Sequence, residues 1–284
     1  MSIEKLRLCA FADEAGDSIE EQIEALKRNN IGLLELRSID KTNVTKFTNE
    51  QVKDYKKKLD DAGIKVWSIG SPIGKVQIDD DFNIDLDLCK RTVEIAEMFG
   101  SSSIRMFSFY GTNGEEKYRD IVFERLLKYV ETTKGTGITL CHENEKGIYG
   151  DIASRCLEIH ENVPGLKSVF DPANFVQCGQ DVLEAWDMLE PYIFYGHIKD
   201  SLADGSIVPP GKGMGKIKEY LPKFINKGCE ILTLEPHLAV FDALKSLEAP
   251  GDESKIGLYE FSSNAEAFDY AVNSLNDIIK EIKL

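Results

Sequence analysis

Short apolar runs alternate with amphipathic stretches of helical period along the chain. Residues 6–11, 33–37, 65–69 and 104–109 read as strands, and residues 18–29, 49–62, 84–99 and 116–134 as the helices that follow them. Ser18 with Glu21 three residues on is a capping-box pattern, and Gly63 closes the second helix. The second half repeats the alternation, with strands at 139–143, 166–170, 192–197 and 231–235 and helices at 152–162, 182–189, 217–227 and 265–283. Only the excursion at 200–215, carrying Pro209-Pro210-Gly211-Lys212-Gly213, interrupts it.

Eight strand-then-helix units without a Pro/Gly/Ser linker predict the α/β class and a closed (β/α)8 TIM barrel, one domain over residues 1–284. An open doubly wound sheet accommodates six units and leaves two unexplained. No phosphate-cradling glycine fingerprint follows the first strand.

Four of the later strands run directly into polar side chains. They are Thr139-Leu140-Cys141-His142-Glu143-Asn144-Glu145, Ser168-Val169-Phe170-Asp171-Pro172-Ala173-Asn174, Phe194-Tyr195-Gly196-His197-Ile198-Lys199-Asp200 and Ile231-Leu232-Thr233-Leu234-Glu235-Pro236-His237. In a parallel barrel these strand ends surround one opening, so Glu143, Asp171, His197 and Glu235 are expected to converge. Three carboxylates with one imidazole suit one divalent ion: Mn²⁺, Mg²⁺, Co²⁺ or Zn²⁺. A single carboxylate at a strand end is more often a loop cap; four at consecutive strands favour a site.

Composition narrows the partners. The 284 residues carry a net charge of −15, which opposes polyanion binding, so no nucleic-acid partner is expected. The hydrophobic fraction of 42% supplies a core, and no apolar run approaches the roughly 20 residues that span a bilayer, so no membrane partner is expected. The start of the chain has no basic segment followed by an apolar run, and a cytoplasmic enzyme is expected. Six scattered cysteines without a Cys-x-x-Cys pair read as reduced and mostly internal.

These motifs, in this order, resemble those of the xylose-isomerase-like barrels, a superfamily of sugar isomerases and epimerases that also holds inosose dehydratases and apurinic-site endonucleases. The resemblance rests on His142-Glu143-Asn144 with Ile148-Tyr149-Gly150-Asp151, Phe170-Asp171-Pro172-Ala173-Asn174, Gly196-His197-Ile198-Lys199-Asp200 and Leu234-Glu235-Pro236-His237. It implies metal ligation by Glu143, Asp171, His197 and Glu235, and an acid/base role for Glu143 and Glu235 through an enediolate. Two departures stand out. Asn174 occupies a position where many relatives carry histidine, and Ala203 replaces the epimerases' substrate-binding arginine.

The expected activity is a metal-dependent sugar or sugar-phosphate isomerase or epimerase in carbohydrate metabolism. A dehydratase of an inositol-derived ketone and a non-catalytic sugar-binding barrel remain as alternatives; homo-oligomerisation is left open. Asn174, Lys199, His237, Lys212 and Trp67 are substrate-binding candidates. Three have a plainer reading: Lys199 can pair with a carboxylate, Trp67, like Phe11, can be core, and the loop bearing Lys212 can simply turn the chain. His142, of opposite parity to Glu143, is expected to bond within the helix layer. His160 is expected at the surface, and Glu35, Arg37 and Arg105 in a buried ion network. The loop after the seventh strand raises a phosphate site, but the acidic chain favours a free ketose.

Overall fold

The computed structural model describes residues 3–241 and 255–282. Eight strands form the barrel: β1 (Arg7–Ala10), β2 (Leu33–Leu36), β3 (Lys65–Gly70), β4 (Ser103–Met106), β5 (Thr139–Glu143), β6 (Lys167–Phe170), β7 (Ile193–Ile198) and β8 (Ile231–Leu234). Each pairs in parallel with its neighbours, and β8 closes on β1 with Arg7 opposite Ile231 and Ala10 opposite Leu234. The alternation of strand and helix therefore produces the expected TIM barrel.

The surrounding helices are α1 (Ile19–Arg28), α2 (Asn49–Asp61), α3 (Phe82–Phe99), α4 (Arg119–Thr132), α5 (Ala153–Asn162), α6 (Pro172–Gln177), α7 (Val182–Leu189), α8 (Ile217–Lys227) and α9 (Asn264–Glu281). Ser18 makes the expected capping box, its hydroxyl accepting from the Glu21 amide while the Glu21 carboxylate accepts from the Ser18 amide. Three small features were not expected: α6, and two antiparallel hairpins pairing Ser38–Ile39 with Thr42–Asn43 and Asp200–Ser201 with Ile207–Val208. The short α6 matters most, because Asp171 is its N-cap and accepts from the Asn174 amide at 2.9 Å.

The main apolar core lies between strands and helices. A second cluster, Cys9, Cys141, Val169, Tyr195 and Ile231, fills the barrel interior. Side chains alternate along a strand, so two residues beyond Cys141, Val169 and Tyr195 lie Glu143, Asp171 and His197, one layer higher on the same inward face. The apolar layer is the floor of the site. Among the described residues, no helix is long and apolar enough to cross a membrane.

Candidate metal centre

Glu143 ends β5, Asp171 follows β6, His197 lies within β7, and Glu235 follows β8. Their ligand atoms all lie within 4.8 Å of one another, and all four residues are buried. His197 Nδ1 is 2.9 Å from Glu143 Oε1 and 3.2 Å from Glu235 Oε2. Lys199 Nζ approaches from the same strand, 3.0 Å from Asp171 Oδ2 and 3.7 Å from Glu235 Oε2.

A ring of partners fixes these groups. Glu35 Oε2 lies 3.3 Å from His197 Nε2, and Glu35 Oε1 accepts from the Tyr195 hydroxyl at 2.7 Å. Arg105 reaches Glu143 Oε2 at 3.0 Å and Glu235 Oε1 at 3.6 Å. Arg37 donates to Asp13, Glu14 and Glu235. Asn144 and Asp171 exchange bonds, the Asn144 amide donating to the Asp171 carbonyl at 2.9 Å and its side-chain oxygen accepting from the Asp171 N–H at 3.0 Å. The Phe11 ring packs edge-on against His197, with the Arg37 and Arg105 guanidiniums over it at 4.4 and 5.1 Å.

Burial penalises every charge here, and the neighbours decide which survive. For His197 burial alone lowers the imidazole pKa, but Glu143, Glu35 and Glu235 outweigh it and hold the group well above its usual value. Burial raises Glu143, yet His197 and Arg105 bring it down to about 2. Glu235, with burial countered by Lys199 and His197, also lies well below the carboxylate range. At Asp171 burial prevails over Lys199, and the pKa is raised.

The donor set fits a divalent cation. Asp171 Oδ2 and Glu235 Oε2 are buried without an aligned hydrogen bond from any described residue, although both lie within ion-pair range of Lys199. The six buried carboxylates Asp13, Glu14, Glu35, Glu143, Asp171 and Glu235 outnumber Arg37, Arg105 and Lys199, the arginines and lysine paired within this cluster, which is therefore short of positive charge. A cation bound at His197 Nδ1 displaces a proton, which ties affinity to pH.

A profile of the xylose isomerase-like TIM barrel family matches residues 23–250. The chain belongs to that family. No curated protein sequence matches it. Among solved structures, D-psicose 3-epimerase with D-tagatose from Clostridium cellulolyticum H10 is 12% identical, with TM-score 0.75 and coverage of 98% of this chain and 100% of that one. The IolI protein with a bound zinc atom is 14% identical, with TM-score 0.75 and coverage of 98% and 100%. The probable 3-DHS dehydratase AsbF of Bacillus anthracis, involved in petrobactin synthesis, is 16% identical, with TM-score 0.73 and coverage of 95% and 98%.

In this member of the family the other sequence candidates divide. Lys199 takes the carboxylate-paired position. Asn174 donates to the Asn144 carbonyl at 2.8 Å and approaches Glu143 Oε1 at 3.4 Å, so it braces two ligand loops. His237 Nε2 lies 3.3 Å from Glu14 and 3.5 Å from Glu235. His142 turns to the helix layer, 2.9 Å from the Ser108 hydroxyl.

Two substrate candidates are not brought to the centre. Trp67 is the third residue of β3 and stacks on Phe194; with Arg7, Lys227 and Glu230 it lines a cavity of about 350 Å³ at the N-terminal end of the strands. Glu143, Asp171, His197 and Glu235 lie at the opposite end. Lys212 is exposed. The N–H groups of its loop are already spent on a carboxylate, since Gly211, Gly213 and Gly215 donate to Asp200 at 2.9, 2.9 and 2.8 Å. Ala203 is exposed at the hairpin tip and offers no replacement for an arginine.

His160 corrects a further expectation. It is buried, stacked on Tyr192 at 5.1 Å and edge-on to His142 at 6.1 Å, because α5 turns this face to the barrel wall. Asp13, Glu14 and the Lys75–Glu145 ion pair at 2.8 Å were absent from the candidate set. Their signal was the run of acids after β1 and the second glutamate of His142-Glu143-Asn144-Glu145.

Proposed function

We propose that this barrel is a metal-dependent sugar isomerase or epimerase acting on a free ketose, with Glu143 and Glu235 as the proton-exchanging pair. One observation carries the reading: both carboxylates reach His197 Nδ1, at 2.9 and 3.2 Å, and Arg105 contacts both. Glu143, Asp171, His197 and Glu235 would hold the ion, which when bound supplies Lewis-acid polarisation of a carbonyl.

One glutamate removes the proton from the carbon beside the carbonyl, and the other returns a proton to give the isomeric sugar. The arginines orient both carboxylates and hold the proton-abstracting one ionised, its partner carrying the proton that it returns, and Lys199 presents an ammonium to the developing oxyanion. Phe11, buried edge-on against His197, restricts water at the site. The structural likeness to D-psicose 3-epimerase supports the reaction class. The Asp200-filled glycine loop supports an unphosphorylated substrate, and the net charge of −15 supports a small carbohydrate over nucleic acid or an anionic membrane.

A second reading, dehydration of an inositol-derived ketone, draws on Lys199, a buried ammonium beside Asp171 and Glu235 that can protonate a departing hydroxyl. The likeness to a probable dehydratase accords with it. The two readings separate on products. Incubation with Mn²⁺ and a panel of ketoses, their phosphate esters and inosose should give an isomeric sugar, ketose or aldose, of unchanged mass. Loss of water from inosose alone establishes the second reading instead. A phosphate-ester preference above about tenfold, roughly 1.4 kcal/mol, overturns the free-sugar assignment.

A further inference from the structure

Glu235 turns its two oxygens to different sets of ligand atoms. Oε2 faces His197 Nδ1 at 3.2 Å, whereas Oε1 faces His237 Nε2 at 3.5 Å. On that second side Glu14, Glu235 and His237 offer three buried ligand atoms within 4.8 Å of one another. The His237 side chain is 9% exposed, and its Nε2 makes no aligned hydrogen bond with any described residue. Backbone geometry aims the ring there: His237 has φ of 46°, and its N–H donates to Glu14 Oε2 at 2.7 Å.

We propose that Glu14, Glu235 and His237 bind a second divalent cation, bridged by the Glu235 carboxylate to the ion at Glu143, Asp171 and His197. The proposal rests on the first site for its bridging partner. One imidazole with two carboxylates suits Mn²⁺ or Zn²⁺. Charge points the same way. Six buried carboxylates face Arg37, Arg105 and Lys199, so one divalent ion leaves the cluster negative, while a second admits an anionic form of the substrate.

Arg37 makes this the weaker site. Its guanidinium already donates to Glu14 Oε1 at 3.1 Å and to Glu235 Oε1 at 3.0 Å, and Arg105 lies 3.6 Å from that same Glu235 oxygen, so each oxygen has at most one further lone pair and positive charge stands beside the ion. The Asp13 carboxylate, bonded to Arg37 through both oxygens, offsets part of that charge.

The test is a Mn²⁺ titration of the chelator-stripped full chain, followed by electron paramagnetic resonance and equilibrium dialysis. The expected result is two Mn²⁺ per chain, the second at least tenfold weaker, with a spin-coupled signal appearing only as the second binds. Glu14→Gln and His237→Ala should each lose the weak ion and the coupled signal while retaining the tight ion. A single tight Mn²⁺ in the wild-type chain, with no coupled signal, overturns the second site and leaves the first intact. No stoichiometric Mn²⁺ at all overturns both. The wild-type stoichiometry and coupling decide the matter even if a variant fails to fold.

Discussion

Glu35 Oε2 lies 3.3 Å from His197 Nε2, on the side of the ring turned away from Glu143 and Glu235. A carboxylate behind the imidazole fixes which nitrogen carries the proton and leaves Nδ1 for a cation. Glu35→Gln should therefore weaken Mn²⁺ binding by about 10–100-fold, although Glu35 is not itself among the four ligands. Equilibrium dialysis of the variant checks this, and unchanged affinity would mean that Tyr195 and packing orient the ring unaided.

Arg37 carries a structural as well as an electrostatic load. Its side chain is fully buried and binds Asp13, Glu14 and Glu235. Arg37→Met strands three carboxylates, and urea denaturation should show a loss of about 3–5 kcal/mol. Lys57→Ala, which breaks the exposed pair with Asp61, should leave the transition where it is.

His160 predicts an acid sensitivity remote from the centre. Burial is the main reason its pKa falls from 6.5 to about 4. The unfolded chain takes up this proton first as pH falls, so the stabilisation present above pH 6.5 declines progressively to about pH 4. The window corresponds to at most about 3 kcal/mol. Denaturation midpoints for the wild type and His160→Phe across that range test it, and the variant's profile should be flatter.

Much of the site could be read from the chain because barrel geometry turns strand parity into height. Once Cys141, Val169 and Tyr195 are placed inside, Glu143, Asp171 and His197 must lie one layer above them. Trp67 shows where parity stops. It shares the inward face of β3, but two residues separate it from the strand end at Gly70. Phe11 fills the space at that end, and a Cβ on Gly70 would come within 2.4 Å of its ring. The aromatic wall near the ligands is therefore Phe11, while Trp67 lies at the far mouth.

The glycine-rich loop was legible as a cradle of N–H groups but not in its occupant. Sequence spacing shows alternate glycines; only the folded hairpin shows that Asp200 reaches back into them. Asp13 and Glu14 showed in the sequence only as a run of acids after a strand, which acquires meaning when Arg37 and His237 arrive from other loops.

Proton exchange beside a carbonyl by Glu143 and Glu235 is read directly by solvent deuterium. With Mn²⁺ and the ketose that turns over in the panel, proton NMR in D₂O should show one deuterium entering the carbon that changes configuration or bears the migrating carbonyl. Glu143→Gln and Glu235→Gln should each slow that incorporation by about 10²–10⁴-fold with the fold retained. Product formed without deuterium, or at an undiminished rate in Glu235→Gln, would contradict the account.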